Sequence, residues 1–87
     1  MVDDVLGGLA AARGGDGPLL DTIEAYVAES GNITATARRL YLTPRAVTYR
    51  ISTIAKLTGR DLTAPDDRFV LELAVRGRRL LSDIRKS

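Results

Sequence analysis

The chain of 87 residues contains no cysteine and no histidine. Without cysteine there are no disulfide staples and no thiolate metal ligands, which agrees with a reducing, cytoplasmic setting. Without histidine the usual general base, the Ser–His and Cys–His pairs and the commonest metal ligand are all missing. An enzyme built on this chain would have to run on carboxylates, lysine, tyrosine or hydroxyls alone. The acids do not cluster for such work; they are scattered over helix starts, where capping explains them. The chain is therefore expected not to be an enzyme and to need no cofactor or metal. No apolar run approaches the roughly 18 residues of a membrane span. Met1 is followed by Val2, Asp3 and Asp4 with no basic, then apolar, leader pattern, so no secretory signal is expected.

One further absence is local. From Ser30 to Arg60 there is no acidic residue, while the same window holds Arg38, Arg39, Arg45, Arg50, Lys56 and Arg60. The net charge of the whole chain is +2, so the remainder sums to −4. Positive charge is thus sorted onto one segment. With 45% hydrophobic and 28% charged residues, the chain reads as one folded domain with one core, and its length implies modest stability.

Taken in order, Val2, Val5, Leu6 and Leu9 are spaced for a helix over Val2 to Ala12, weakened by Gly7 and Gly8 at about 1 kcal/mol each. Arg13 to Gly17 is a glycine-rich breaker. It follows a helix and lacks the Lys-Ser/Thr of a phosphate loop, so it reads as a linker. Pro18 opens a helix in which Leu20, Ile23 and Val27 form an apolar stripe with Leu19 and Tyr26 beside it. Gly31 and Asn32 are a C-cap and an N-cap in succession. Ile33 to Leu40 gives two turns, with Ala37 small enough for a close helix crossing, and Leu40 and Leu42 bracket the corner. Tyr41 stands in that corner, where many such motifs carry glycine.

Thr43 and Pro44 are an N-cap followed by proline at the first helical position. The helix they open runs to about Leu57. At about 100° per residue its Val47, Ile51, Ile54 and Thr58 share a narrow sector. Arg45, Tyr49, Ser52 and Lys56 lie opposite, with Thr48 at the margin. A face of cations, hydroxyls and an aromatic without acids suits a helix lying in a DNA major groove. Arg60 to Pro65 is a connector in which Leu62 plugs the core. Asp66 and Asp67 start a last helix to about Ile84, in which Val70, Leu73, Ala74, Gly77, Leu81 and Ile84 share one face flanked by Phe69 and Leu80. Leu71 and Val75 point the other way, to cover the N-terminal helix or to form a dimer contact. Arg76, Arg78, Arg79, Arg85 and Lys86 crowd its end, as a solvated helix terminus or a second nucleic-acid surface.

The expected fold is all-α, a small bundle of about five helices with a helix-turn-helix over Ile33 to Leu57. Residues 1–17 form an N-terminal helix and linker, and residues 18–87 the helix-turn-helix domain, in one compact unit. The function expected is sequence-specific binding of double-stranded DNA. Arg45, Thr48, Tyr49 and Ser52 would read bases, and Thr34, Arg38, Thr43, Arg50 and Lys56 would meet phosphates. Arg50 sits on the flank of its helix, where it could equally brace two helices internally. The alternative is a protein-interaction or oligomerisation module that uses the same shape without DNA.

From Pro18 to Leu81 the chain resembles the C-terminal DNA-binding domain of PucR/CdaR-type bacterial transcription regulators. The matching pieces are LLDTIEAYVAESGNITATARRL, YRISTIAKLTGRDL and PDDRFVLELAVRGRRLL. Gly31, Asn32, Thr34, Thr36, Ala37, Leu40, Tyr49 and Arg50 sit where the family pattern has similar residues. The resemblance implies promoter binding, usually as a homodimer or larger homo-oligomer, by a domain that a segment like the one before Pro18 links to an N-terminal sensory region. The chain departs from the family where the recognition helix opens: the family usually has His-Arg-Asn-Thr, and here stand Thr43, Pro44, Arg45 and Ala46. Hydrogen bonds made by that Asn and Thr therefore do not carry over. The stretch LTPRAVTYRI also resembles LysR-type motifs; the final helix favours PucR.

Overall fold

The structure is a computed structural model that describes residues 6–11 and 15–86. A 3-10 turn, Gly7–Ala11, is followed by four α-helices: α1 (Gly17–Ala28), α2 (Ile33–Leu40), α3 (Pro44–Thr58) and α4 (Pro65–Lys86). The all-α expectation holds. Val2, Val5, Arg13 and Gly14 lie outside the described residues.

The boundaries of α2 and α3 follow from residues whose chemistry enforces them. Gly31 adopts φ +82°, and the Asn32 side chain then accepts a hydrogen bond from the Ala35 amide at 2.9 Å, capping α2. Thr43 Oγ1 accepts from the Ala46 amide at 3.1 Å, with Pro44 opening α3 behind it. Gly59, at φ +73°, closes α3 in the left-handed conformation. Asp67 ties the last connector to α4: its carboxylate accepts from the Asp61 amide and from Arg60 Nη1, while Leu62 is fully buried beneath.

The core is formed by Leu6 and Leu9 of the N-terminal segment, Leu19, Leu20, Ile23 and Tyr26 of α1, Ala37 of α2, Val47, Ile51 and Ile54 of α3, and Leu62, Leu71, Ala74 and Val75. Two threonines are buried with it, and each places its hydroxyl on a carbonyl one turn back: Thr22 on Pro18 at 2.8 Å and Thr36 on Asn32 at 2.7 Å. No polar atom is therefore stranded by their burial.

Two sequence expectations change. The N-terminal glycines read as weak points in a helix, but a Cβ at Gly8 would run into the Leu57 carbonyl, so this glycine lets the N-terminal turn approach the end of α3. On α4, the face read as apolar is turned outward except at Ala74, which is buried. Leu71 and Val75 are buried, whereas Phe69, Leu73, Leu80, Leu81 and Ile84 are exposed. Helix α4 is apolar on two faces, and its packing against α1 selects the narrower one. Three cations of α4 reinforce that choice or its own turn: Arg78 meets Asp16 at 2.6 Å, Arg79 meets Glu24 at 2.7 Å and Asp21 at 3.1 Å, and Arg76 meets Glu72 at 2.9 Å. Such partly exposed pairs contribute only about 0–1 kcal/mol each. They orient α1 against α4 more than they stabilise it.

A candidate nucleic-acid interface

Helices α2 and α3 form the helix-turn-helix. Ala37 of α2 is 2% exposed within the core they share, and a larger side chain there would have to displace its neighbours. Tyr41 takes φ +59° and ψ +40° in the corner, which costs a non-glycine residue about 1–2 kcal/mol. The conformation is held from both sides: the Tyr41 amide donates to the Arg38 carbonyl and the Leu42 amide to the Ala37 carbonyl at 2.8 Å. Its ring is left 95% exposed. Sequence reasoning noted the missing corner glycine but not that an aromatic would be displayed there; the burial pattern of the neighbours decides it.

Val47, Ile51 and Ile54 turn inward, which rotates Arg45, Thr48, Tyr49, Ser52 and Lys56 to solvent on the far side of α3. Thr34, Arg38 and Thr43 are also exposed. Two hydroxyls are partly committed, Thr43 as the α3 cap and Thr48 as a donor to the Pro44 carbonyl at 3.1 Å. Arg50 is set apart from the exposed group. Its Nη1 donates to the Pro18 carbonyl at 3.2 Å and to Thr22 Oγ1 at 3.3 Å, which ties α3 to the start of α1.

The six cations of the acid-free window consequently divide by partner. Arg39 is paired with Glu29 at 2.8 Å, Arg60 with Asp67 at 3.2 Å, and Arg50 is occupied by α1. Among the described residues Arg38, Arg45 and Lys56 have neither an ion-pair nor a hydrogen-bond partner for their side chains. Uncompensated positive charge is thus narrowed to three exposed residues of the helix-turn-helix. Among the described residues no group of acids is arranged to hold a metal ion.

The family profile of the PucR C-terminal helix-turn-helix domain matches residues 19–77. An uncharacterised protein of Mycobacterium tuberculosis is 44% identical over 72 residues, covering 82% of this chain and 16% of that protein. The purine catabolism regulatory protein of Bacillus subtilis is 35% identical over 80 residues, covering 92% of this chain and 15% of its own length. The crystal structure of a regulator of polyketide synthase expression from Bifidobacterium adolescentis superposes with a TM-score of 0.76 at 30% identity, covering 88% of this chain and 31% of that one. The chain therefore spans a small part of the length of these relatives, and the part it spans is the helix-turn-helix. By its sequence and its fold, the chain belongs to the PucR C-terminal helix-turn-helix domain family.

Proposed function

We propose that the chain binds double-stranded DNA sequence-specifically as the DNA-binding domain of a longer bacterial transcription regulator, with α3 in the major groove. The observation that carries this reading is the partner census: of the six cations in the acid-free window, the three that lack a carboxylate or hydrogen-bond partner among the described residues, Arg38, Arg45 and Lys56, all lie on the helix-turn-helix, and α3 displays Arg45 and Lys56 with three polar side chains between them. Phosphates are the partners such a surface lacks. Arg45 and Thr48, in the first turns of α3, reach base edges, followed by Tyr49 and Ser52 along the same face. Thr34, Arg38, Thr43 and Lys56 meet phosphates, and Tyr41 lies against the backbone at the corner. Arg50 serves as a brace that fixes the angle of α3, with its half-exposed edge toward the phosphates.

Pairing of two such domains supplies the second half-site that useful specificity requires, about 34 Å away along the duplex. The Bacillus and Bifidobacterium relatives are named as regulators, which agrees with this reading. Selection of bound duplexes from a random pool, followed by titration of the selected site, tests it. Arg45→Ala is expected to cost about 1–3 kcal/mol on the selected site and to relax preference at one base pair. A chain that selects no sequence and shows no salt-sensitive DNA binding acts instead as a protein-interaction module.

A further inference from the structure

The outward face of α4 is apolar and carries no other element of the described chain. Phe69, Leu73, Leu80, Leu81 and Ile84 are each between 51% and 61% exposed. Isolated exposed leucines are ordinary, but a contiguous band of this kind marks a contact surface. The band also has a period. Val70, Leu73, Gly77, Leu80 and Ile84 follow one another at steps of three, four, three and four, the spacing of a two-helix seam. Leu81 flanks the seam on one side, Arg76 and Asp83 on the other.

We infer that this face pairs with the same face of a second copy of the chain, the two α4 helices running antiparallel across a twofold axis near Arg78 and Arg79. Size complementarity and charge both select that arrangement. Antiparallel pairing in this register seats Leu80 of each copy over Gly77 of the other and Leu73 over Ile84, so the small residue receives a large one. Parallel pairing would set Gly77 against Gly77 and leave a gap at the centre of the seam. Antiparallel pairing also brings Arg76 of each copy beside Asp83 of the other, twice per dimer, whereas a parallel pair places Arg76 beside Leu81. Arg76 is already held by Glu72 in its own chain, with its side chain 73% exposed, and Asp83 also interacts within its chain, so the crossed pairs share existing partners. They set the register, and the apolar seam supplies the attraction.

Complementarity of a surface to itself is what a twofold contact requires, and no unrelated occupant would require it. In this register the seam residues that pair run from Leu73 to Ile84, about 17 Å at 1.5 Å per residue. A contact between two helices of that length is at the small end of specific interfaces, so the isolated chain dimerises weakly, and a longer parent protein or a shared duplex raises the effective concentration. Bringing two α3 helices to one duplex, the use of this dimer, rests on the proposed DNA reading; its existence does not.

Sedimentation equilibrium of the chain from micromolar to millimolar concentration tests the interface. The unaltered chain is expected to approach dimer mass within that range, and Leu80→Glu, at an exposed position, to stay monomeric with unchanged helical circular dichroism. Arg76→Asp and Asp83→Arg are each expected to weaken dimerisation about tenfold by creating like-charge pairs, and the double variant to restore it to within about threefold. A chain that remains monomeric throughout overturns the proposal, and so does a double variant as weak as either single. Duplex DNA binding measured on the same proteins separates the two readings. A monomer that binds DNA with salt sensitivity refutes the α4 interface alone, and a dimer that ignores DNA refutes the groove assignment alone.

Discussion

Arg38 and Arg39 are neighbours on α2, both exposed, and the structure gives them opposite roles. Arg39 is neutralised by Glu29 at 2.8 Å, and Arg38 has no such partner among the described residues. If Arg38, Arg45 and Lys56 each neutralise one phosphate, log K against log salt should fall with a slope of about −2.7 per domain, since each phosphate contributes about −0.9. Between about 50 and 200 mM salt, a fourfold change, affinity then drops about 40-fold; Arg38→Gln should lower the slope to about −1.8 and the drop to about 12-fold. Removing the Glu29–Arg39 pair together, as Glu29→Gln with Arg39→Gln, should leave the slope unchanged, because no condensed counterion is released by a cation already paired. Fluorescence anisotropy with a short nonspecific duplex at four or more salt concentrations reads both slopes. An unchanged slope in Arg38→Gln, or an equal reduction from removing the pair, would refute the assignment of free charge.

Three other outcomes follow from the packing. Gly8→Ala, which helix propensity alone would score as a gain of about 1 kcal/mol, should instead destabilise by about 1–3 kcal/mol in urea unfolding, because the added methyl meets the Leu57 carbonyl. Leu71→Ala should cost about 2–5 kcal/mol while Leu81→Ala, at dilute protein, should fall within about 0.5 kcal/mol of the parent; reversed values would show that α4 packs by its other face. The Asp61 carboxylate accepts from the Thr63 hydroxyl and amide, and these bonds hold its folded pKa below 3.8. The ionised form is therefore favoured by folding: its contribution is present above the unfolded value and is lost as pH falls through the folded one. Urea midpoints of the parent and of Asp61→Ala should converge as pH drops below about 3.8 and separate above it.

Much of the architecture was legible because it depends on local chemistry. Asn32, Thr43, Pro44 and Gly59 mark ends that any chain would have to satisfy, since the unpaired amides and carbonyls of a helix terminus demand caps wherever the helix lies. The inward face of α3 was equally legible, because Val47, Ile51 and Ile54 leave only one apolar sector to bury. The cations of the site were legible as a group and not as individuals. The sequence lists Arg39 and Arg60 among the cations of the acid-free window, but their carboxylates come from Glu29 and Asp67, and only the folded chain puts Glu29 within reach across the α1–α2 turn.

By itself, then, the sequence determined which segments from Pro18 onward are helical, about where they stop, and that positive charge gathers on the helix-turn-helix, since propensity, capping and composition act over a few residues; within the expected Val2 to Ala12 helix the described residues form only the 3-10 turn Gly7–Ala11. Tertiary structure decided which of those charges remain uncompensated, that Arg50 braces α1, and which side of α4 faces the core. Helix α4 makes the division plain. Val70, Leu73, Gly77, Leu80 and Ile84 form a seam as regular as any core face, and periodicity cannot say whether its partner is the same domain. That answer depends on the shape of α1, which accepts Leu71, Ala74 and Val75 and leaves the seam outside.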